Sequence, residues 1–264
     1  MTTTEAANTA PSRLVRSFGR LAYLDPDRPV VTLFSGGLDS SYPLLRLRRM
    51  GLREVHAVSV DLGEDESGPY KRLVAEALGA RLHLLDRRAE FADRFVAPAI
   101  AAQAVYLGIH PVSSTLSRPL IAETAVRLAR SLGAQAVLHT ANRSQNTPAR
   151  AQRSAGTPGV RGRLLDDPER HEVPEEMYAW SRPTAAPGAI ELLTVTVENG
   201  RPVALDGARL PLTELIELLN RRVGAYGLGR YSGLEHLDHG EKVLEIREMP
   251  AAWLLLSTYR HIER

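Results

Sequence analysis

The chain has 264 residues, 44% of them hydrophobic, which is enough for one large domain or two modest ones with real cores. A formal net charge of +2 gives no case for a nucleic-acid binder, and the absence of cysteine excludes disulfides, thiolate zinc sites and a cysteine nucleophile. No apolar stretch reaches the roughly 20 residues needed to span a bilayer, and Met1 to Ser12 lacks the basic and apolar regions of a signal peptide, so the chain reads as cytoplasmic, with a flexible tail over residues 1–24.

From residue 30 onward, strand and helix patterns alternate. Val30–Phe34 is a short β-branched run and reads as a strand, while Ser40–Arg49 carries Leu44, Leu45 and Leu47 at helical spacing. Val55–Val60 reads as a second strand, Tyr70–Leu78 as a helix and Arg81–Leu85 as a third strand. Glu90–Leu107 reads as one long helix, Ile121–Leu132 as another with Arg118-Pro119 at its start, and Ala136–His139 as a further strand. This alternation implies an α/β fold, a doubly wound parallel sheet, over residues 25–164. Asn142 to Gly162, rich in Arg, Gln, Ser, Gly and Pro, has no usable period and reads as a long functional loop. A second pattern begins near Ile190. Glu191–Val197 alternates as a strand, and Asn199-Gly200 signals a hairpin turn before Pro202–Leu205. Leu210–Val223 is amphipathic, Gly227–Gly233 is glycine-rich and Pro250–Ile262 reads as a terminal helix. These features place a second, smaller α+β domain over residues 165–264.

The stretch that carries chemistry is Leu33-Phe34-Ser35-Gly36-Gly37-Leu38-Asp39-Ser40-Ser41, where the first strand feeds the first helix. The first backbone N–H groups of a helix have no partner, and the helix dipole favours an anion there. Adjacent glycines let backbone wrap a phosphate, and Asp39 and Ser40 are good N-cap types. The string is neither a Walker A motif, which ends in GK[ST], nor the dinucleotide G-x-G-x-x-G. For the two glycines alone, an ordinary tight turn capped by Asp39 is the alternative.

Ser-Gly-Gly-x-Asp-Ser resembles the PP-loop of the N-type ATP pyrophosphatases, which share an adenine nucleotide alpha hydrolase-like fold. An ordered series of further segments resembles argininosuccinate synthase. It comprises Val60 to Gly63, Phe95 to Ile100, Ser114 to Ala122, His139 to Arg150, Leu165 to Pro168, Pro174 to Trp180, Val203 to Gly207 and Tyr226 to Arg230. The resemblance implies ATP cleaved between its α and β phosphates, with Mg²⁺ accompanying the triphosphate. It puts Leu33 to Ser41 at the pyrophosphate end and Val60 and Thr140 near the nucleotide, with Ser35, Asp39 and Arg150 as catalytic candidates. It puts Asn146, Arg150 and Glu235 on the acceptor substrate. No His/Asp/Glu set has metal-ligand spacing, so no metal site on the protein is expected.

Other positions that the resemblance puts on the substrate depart from the family and would set the substrate's altered identity. His110 and Arg247 stand where it has tyrosines, Thr115 where it has a serine, Asn142 where it has a threonine and Thr147 where it has an aspartate. Losing that carboxylate removes a charge and an acceptor, about 1.5–3 kcal/mol if a substrate ammonium depended on it. Two serines that the family places on the citrulline carboxylate have no match between Arg150 and Leu164, and its C-terminal assembly tail has none after Arg264. Plainer readings compete for three of these residues. Arg150 lies among Arg143, Arg153, Arg161 and Arg163, as in a solvated basic loop; Glu235 lies near Asp238 and Glu241, as in an acidic turn; His110 precedes Pro111, as a loop histidine would.

The resemblance thus implies an ATP-dependent carbon–nitrogen ligase, releasing pyrophosphate and then AMP, with substrates other than citrulline and aspartate. A reduced argininosuccinate synthase is one alternative. A non-catalytic nucleotide-binding regulator is another, and the intact loop weighs against it. The implied partners are small molecules, an acceptor and an amine, with a homo-oligomer possible but assembled differently from the family for want of that tail; nothing implies nucleic acid or a membrane.

Overall fold

The computed structural model describes residues 17–63, 67–106, 108, 110–112, 114–140, 161–165, 173–236 and 242–262. In chain order the first unit contains β1 (Val30–Leu33), α1 (Leu38–Arg49), β2 (Val55–Asp61), α2 (Gly68–Ala77), β3 (Arg81–Asp86), α3 (Arg88–Phe91), α4 (Ala97–Ala101), β4 (Val105–Tyr106), β5 (His110–Pro111), α5 (Ser114–Ser131) and β6 (Ala136–Leu138). The second contains β7 (Arg161–Leu165), β8 (Val195–Glu198), β9 (Arg201–Leu205), β10 (Ala208–Arg209), α6 (Leu212–Gly224), β11 (Arg230–His236), β12 (Lys242–Glu248) and α7 (Pro250–Ile262).

The first unit is built on a parallel sheet in the order β3-β2-β1-β6. Val30, Val31 and Thr32 of β1 are fully buried, as a central parallel strand covered on both faces requires. Leu44 and Leu47 of α1 and Ala75 of α2 pack with Val30, Phe34, Val55 and Ala57 on one face. Ala125 and Ala129 of α5 cover Val31 and Val58 on the other. The sheet is therefore doubly wound. The smaller second unit carries two antiparallel sheets, β10-β9-β8 and β11-β12-β7. Helices α6 and α7 close its core through Leu215, Leu219, Val223, Leu255 and Tyr259, against Leu205 of β9. Ile100 of α4 enters the same core and joins the two units by packing.

Three local expectations are corrected. The single helix expected over Glu90–Leu107 ends at Ala101 and is interrupted by a π turn over Ala92–Val96. Pro98 has no N–H to give the preceding turn and its ring crowds that turn's carbonyl, and just ahead of it the Ala97 N–H bonds back to the Ala92 carbonyl. Gln103, at φ +47°, then turns the chain into the β4–β5 pair. Helix α5 begins at Ser114, so Pro119 lies in its second turn instead of opening it; Pro43 occupies the second turn of α1 in the same way. Finally, β7, β11 and β12 form a sheet where the sequence suggested a loop through Gly162 and a glycine-rich stretch. In Lys-Val-Leu-Glu-Ile-Arg-Glu the alternation is hidden by a carboxylate, Glu248, at a position that turns inward and is buried.

A histidine pair links two strands of the first unit. His56 of β2 and His83 of β3 are directly bonded, Nδ1 to Nε2, at 2.9 Å. Burial, and then the Arg81 guanidinium, push His56 below the ordinary histidine range, with Glu54 opposing. Burial, then His56 itself, push His83 down. Both therefore take up protons less readily in the folded chain than in the unfolded one. Their contribution is present above about pH 6.5 and is lost as pH falls through that value toward the lower folded-state pKa values. We expect the urea midpoint to fall between about pH 8 and about pH 5.5, and to fall less in His83→Gln; an equal fall in the variant would contradict this origin.

Candidate functional site

The parallel sheet creates one crevice by its topology. From β1 the chain passes to β2 on one side and β6 lies on the other, so the strand order reverses beside β1. Ligands of open α/β sheets bind at the carboxyl ends of the strands at such a point. The registers Leu33↔Val58 and Thr32↔Leu138 carry Ser35 level with Val60 and Phe34 level with Thr140. Three stretches singled out from the sequence thus meet at one edge. Val60 and Thr140 are half-buried there, and Ser35 is exposed.

Phe34 is buried and its N–H still bonds to the Val58 carbonyl at 2.8 Å, so the strand ladder runs up to the loop. The chain then turns sharply at Gly36, which has φ +83°. A Cβ there would lie 3.0 Å from Lys71 Cγ, so both the backbone angle and the space call for glycine. Helix α1 opens at Leu38 with Gly37 as its N-cap, two residues ahead of the expected Asp39 and Ser40, and no side chain caps it. The serines face the other way. Ser40 Oγ accepts the Ser35 N–H at 3.1 Å, lies 3.0 Å from Ser35 Oγ, and donates to the Gly37 carbonyl at 3.0 Å. Ser41 Oγ donates to the same carbonyl at 2.9 Å. These bonds brace the turn from within, and no side chain caps the helix N-terminus. Gly37 and Leu38 are exposed at its tip.

Beside the loop, Asp61 Oδ1 accepts the Gly63 N–H at 2.8 Å and fixes the turn after β2. Thr115 is exposed in the first turn of α5. His110 lies in β5, its backbone paired with Tyr106. Glu235 lies in β11 opposite Val243, and Arg247, half-buried, lies in β12 opposite Tyr231 and Gly162. Asn142, Asn146, Thr147 and Arg150 fall outside the described residues.

Sequence reasoning missed two buried charges. Glu248, 1% exposed, accepts the backbone N–H groups of Ala179, Trp180 and Ser181 at 2.8–3.1 Å and the Ser181 hydroxyl at 2.8 Å. It anchors the 179–181 segment to β12. Arg230 reinforces this, bonded to the Ser181 carbonyl and to both oxygens of Glu175, with its guanidinium 3.8 Å from the Tyr178 ring centre. The second missed charge is Lys71. Its signal was visible: it is one of only two lysines in the chain, with Lys242.

Comparison with known proteins covers both units. The family described as arginosuccinate synthase N-terminal HUP domain matches residues 29–155, and that described as arginosuccinate synthase C-terminal domain matches residues 156–264. The argininosuccinate synthase of Hyperthermus butylicus is 33% identical over 89% of this chain and 72% of its own length. That of Rubrobacter xylanophilus is 32% identical over 89% of this chain and 69% of its own. That of Methanothermobacter thermautotrophicus is 33% identical over 89% and 70%.

Two outcomes are expected from this geometry. Ser40→Ala removes the brace of the turn and should weaken ATP binding at least about tenfold by calorimetry, since each lost buried bond is worth about 0.5–1.5 kcal/mol and three meet at this hydroxyl. Unchanged affinity would contradict the role given to it. Glu248→Gln should lower stability in urea by about 1.5–3 kcal/mol, the value of hydrogen bonds to a charged group, whereas an unaltered midpoint would show that its charge is dispensable.

Proposed function

Because this chain belongs to the argininosuccinate synthase family, we propose that it is an ATP-dependent carbon–nitrogen ligase that forms pyrophosphate and AMP. The observation that carries the reading is the uncapped N-terminus of α1 at the switch point of the sheet, braced by Ser40 and opened by Gly36. A cradle of backbone N–H groups suits the β,γ-pyrophosphate of ATP.

In the proposed reaction an acceptor oxygen attacks the α-phosphorus. The bond between the α-phosphorus and the α,β-bridging oxygen breaks, and pyrophosphate leaves into the loop. The amine nitrogen then attacks the activated carbon and loses a proton. The carbon–oxygen bond breaks, and AMP departs with the acceptor oxygen. The chain's own contribution is positioning and charge stabilisation. Ser35 and the amides after it would hold the leaving pyrophosphate, with Asp39 on the same turn. Val60 and Thr140 would flank the nucleotide. Mg²⁺ would enter with the triphosphate, neutralising its charge; among the described residues no group of three His, Asp or Glu side chains could hold a metal by itself.

The name of the relatives makes citrulline and aspartate the first pair to try. The residues favour another pair. Thr147 in place of a carboxylate weakens the claim of an aspartate ammonium. Arg247 in place of a tyrosine adds a planar cation that suits a second anionic group on the acceptor. ATP–pyrophosphate exchange across ureido, guanidino, amide and carboxylate acceptors tests both levels. We expect exchange dependent on an acceptor other than citrulline. Efficient turnover of citrulline with aspartate would overturn the substrate reading and keep the ligase. Tight ATP binding without exchange on any acceptor would overturn the ligase.

A further inference from the structure

Lys71 is 7% exposed, and the mechanism above does not use it. It projects from the same inward face of α2 as Ala75, four residues on, which is fully buried. A lysine is rarely so buried, because taking an ammonium out of water is costly without compensation. Its stem runs against the phosphate loop: from an ideal Cβ on Gly36, Lys71 Cγ would be 3.0 Å away and its Cε 3.7 Å. Its Nζ donates to Ser59 Oγ at 2.9 Å, and Ser59 is itself buried near the carboxyl end of β2. The result is a cation fixed at the strand ends, directly beside the turn into α1. Packing alone does not call for it, because a methionine of nearly equal length would fill the same slot.

We propose that Lys71 is a positioning residue of this site, whose charge makes the loop select polyphosphate over AMP. A cation held against Gly36 attracts whatever anion occupies the loop. In ATP and in pyrophosphate that anion is the β,γ pair. In AMP the single phosphate lies at the α position, outside the loop, and gains little. The lysine would then favour ATP on entry and let AMP leave after the second step. This rests on the reading of the loop as the pyrophosphate site.

Calorimetric titration of ATP, pyrophosphate and AMP into the wild-type chain, Lys71→Met and Lys71→Arg tests it. Lys71→Met should weaken ATP and pyrophosphate about tenfold, equal to about 1.4 kcal/mol, and AMP less than about twofold. Lys71→Arg should recover a large part of the loss. ATP binding unchanged in Lys71→Met, or AMP weakened as much as ATP, would overturn the inference and leave Lys71 a packing residue. Should Lys71→Met fail to fold, Ser59→Ala keeps the charge and loosens its anchor; the ratio of ATP to AMP affinity should fall at least about threefold, and an unchanged ratio would overturn the inference. A wild-type chain that binds neither ATP nor pyrophosphate would instead overturn the reading of the loop.

Discussion

The candidate site is built on one constraint, the handover from β1 to α1. The strand is buried on both faces and must hand over to a helix that packs back on one of them. The chain does this at Gly36, at a positive φ, pressed against the side chain of Lys71. The serines that would cap most helices are turned inward here, Ser40 onto Ser35 and the Gly37 carbonyl. A helix end left open this way has unsatisfied N–H groups and the positive end of a dipole pointing at the sheet's crevice. A helix end of this kind suits an anion.

The second unit answers to a different constraint. Glu248 ends β12 in the interior, and the backbone of Ala179 to Ser181 has folded around it. Gly224 belongs to the same packing, since a Cβ there would collide with the Trp180 carbonyl oxygen. Arg247 lies next to Glu248 on the same strand, paired with Tyr231 and Gly162.

Much of this was legible in the sequence because the governing signals are local. Parallel strands buried on both faces read as apolar runs, and Val30–Leu33 and Val55–Asp61 lie within a residue of where the pattern put them. Ser35 to Ser41 carries its chemistry in its residue types. Illegible features were those set by tertiary context. Pro119 reads as a helix start, yet packing of Leu120 and Ala125 carries α5 through it. The helix after β3 breaks at a π turn whose cause, Pro98, lies beyond it. Strand β12 hides because its inward face ends in a carboxylate satisfied by the distant 179–181 segment. Lys71 hides for the same reason, its partner Ser59 being supplied by another element.

The measurement that bears most directly on this account is a crystal structure with α,β-methylene ATP, which cannot be cleaved at the scissile position. The account predicts the β and γ phosphates within hydrogen-bond distance of the backbone N–H groups of Gly36 to Ser40, with the α-phosphate turned toward the crevice between Val60 and Thr140. A nucleotide seated elsewhere, or one placing only its α-phosphate in the loop, would contradict it.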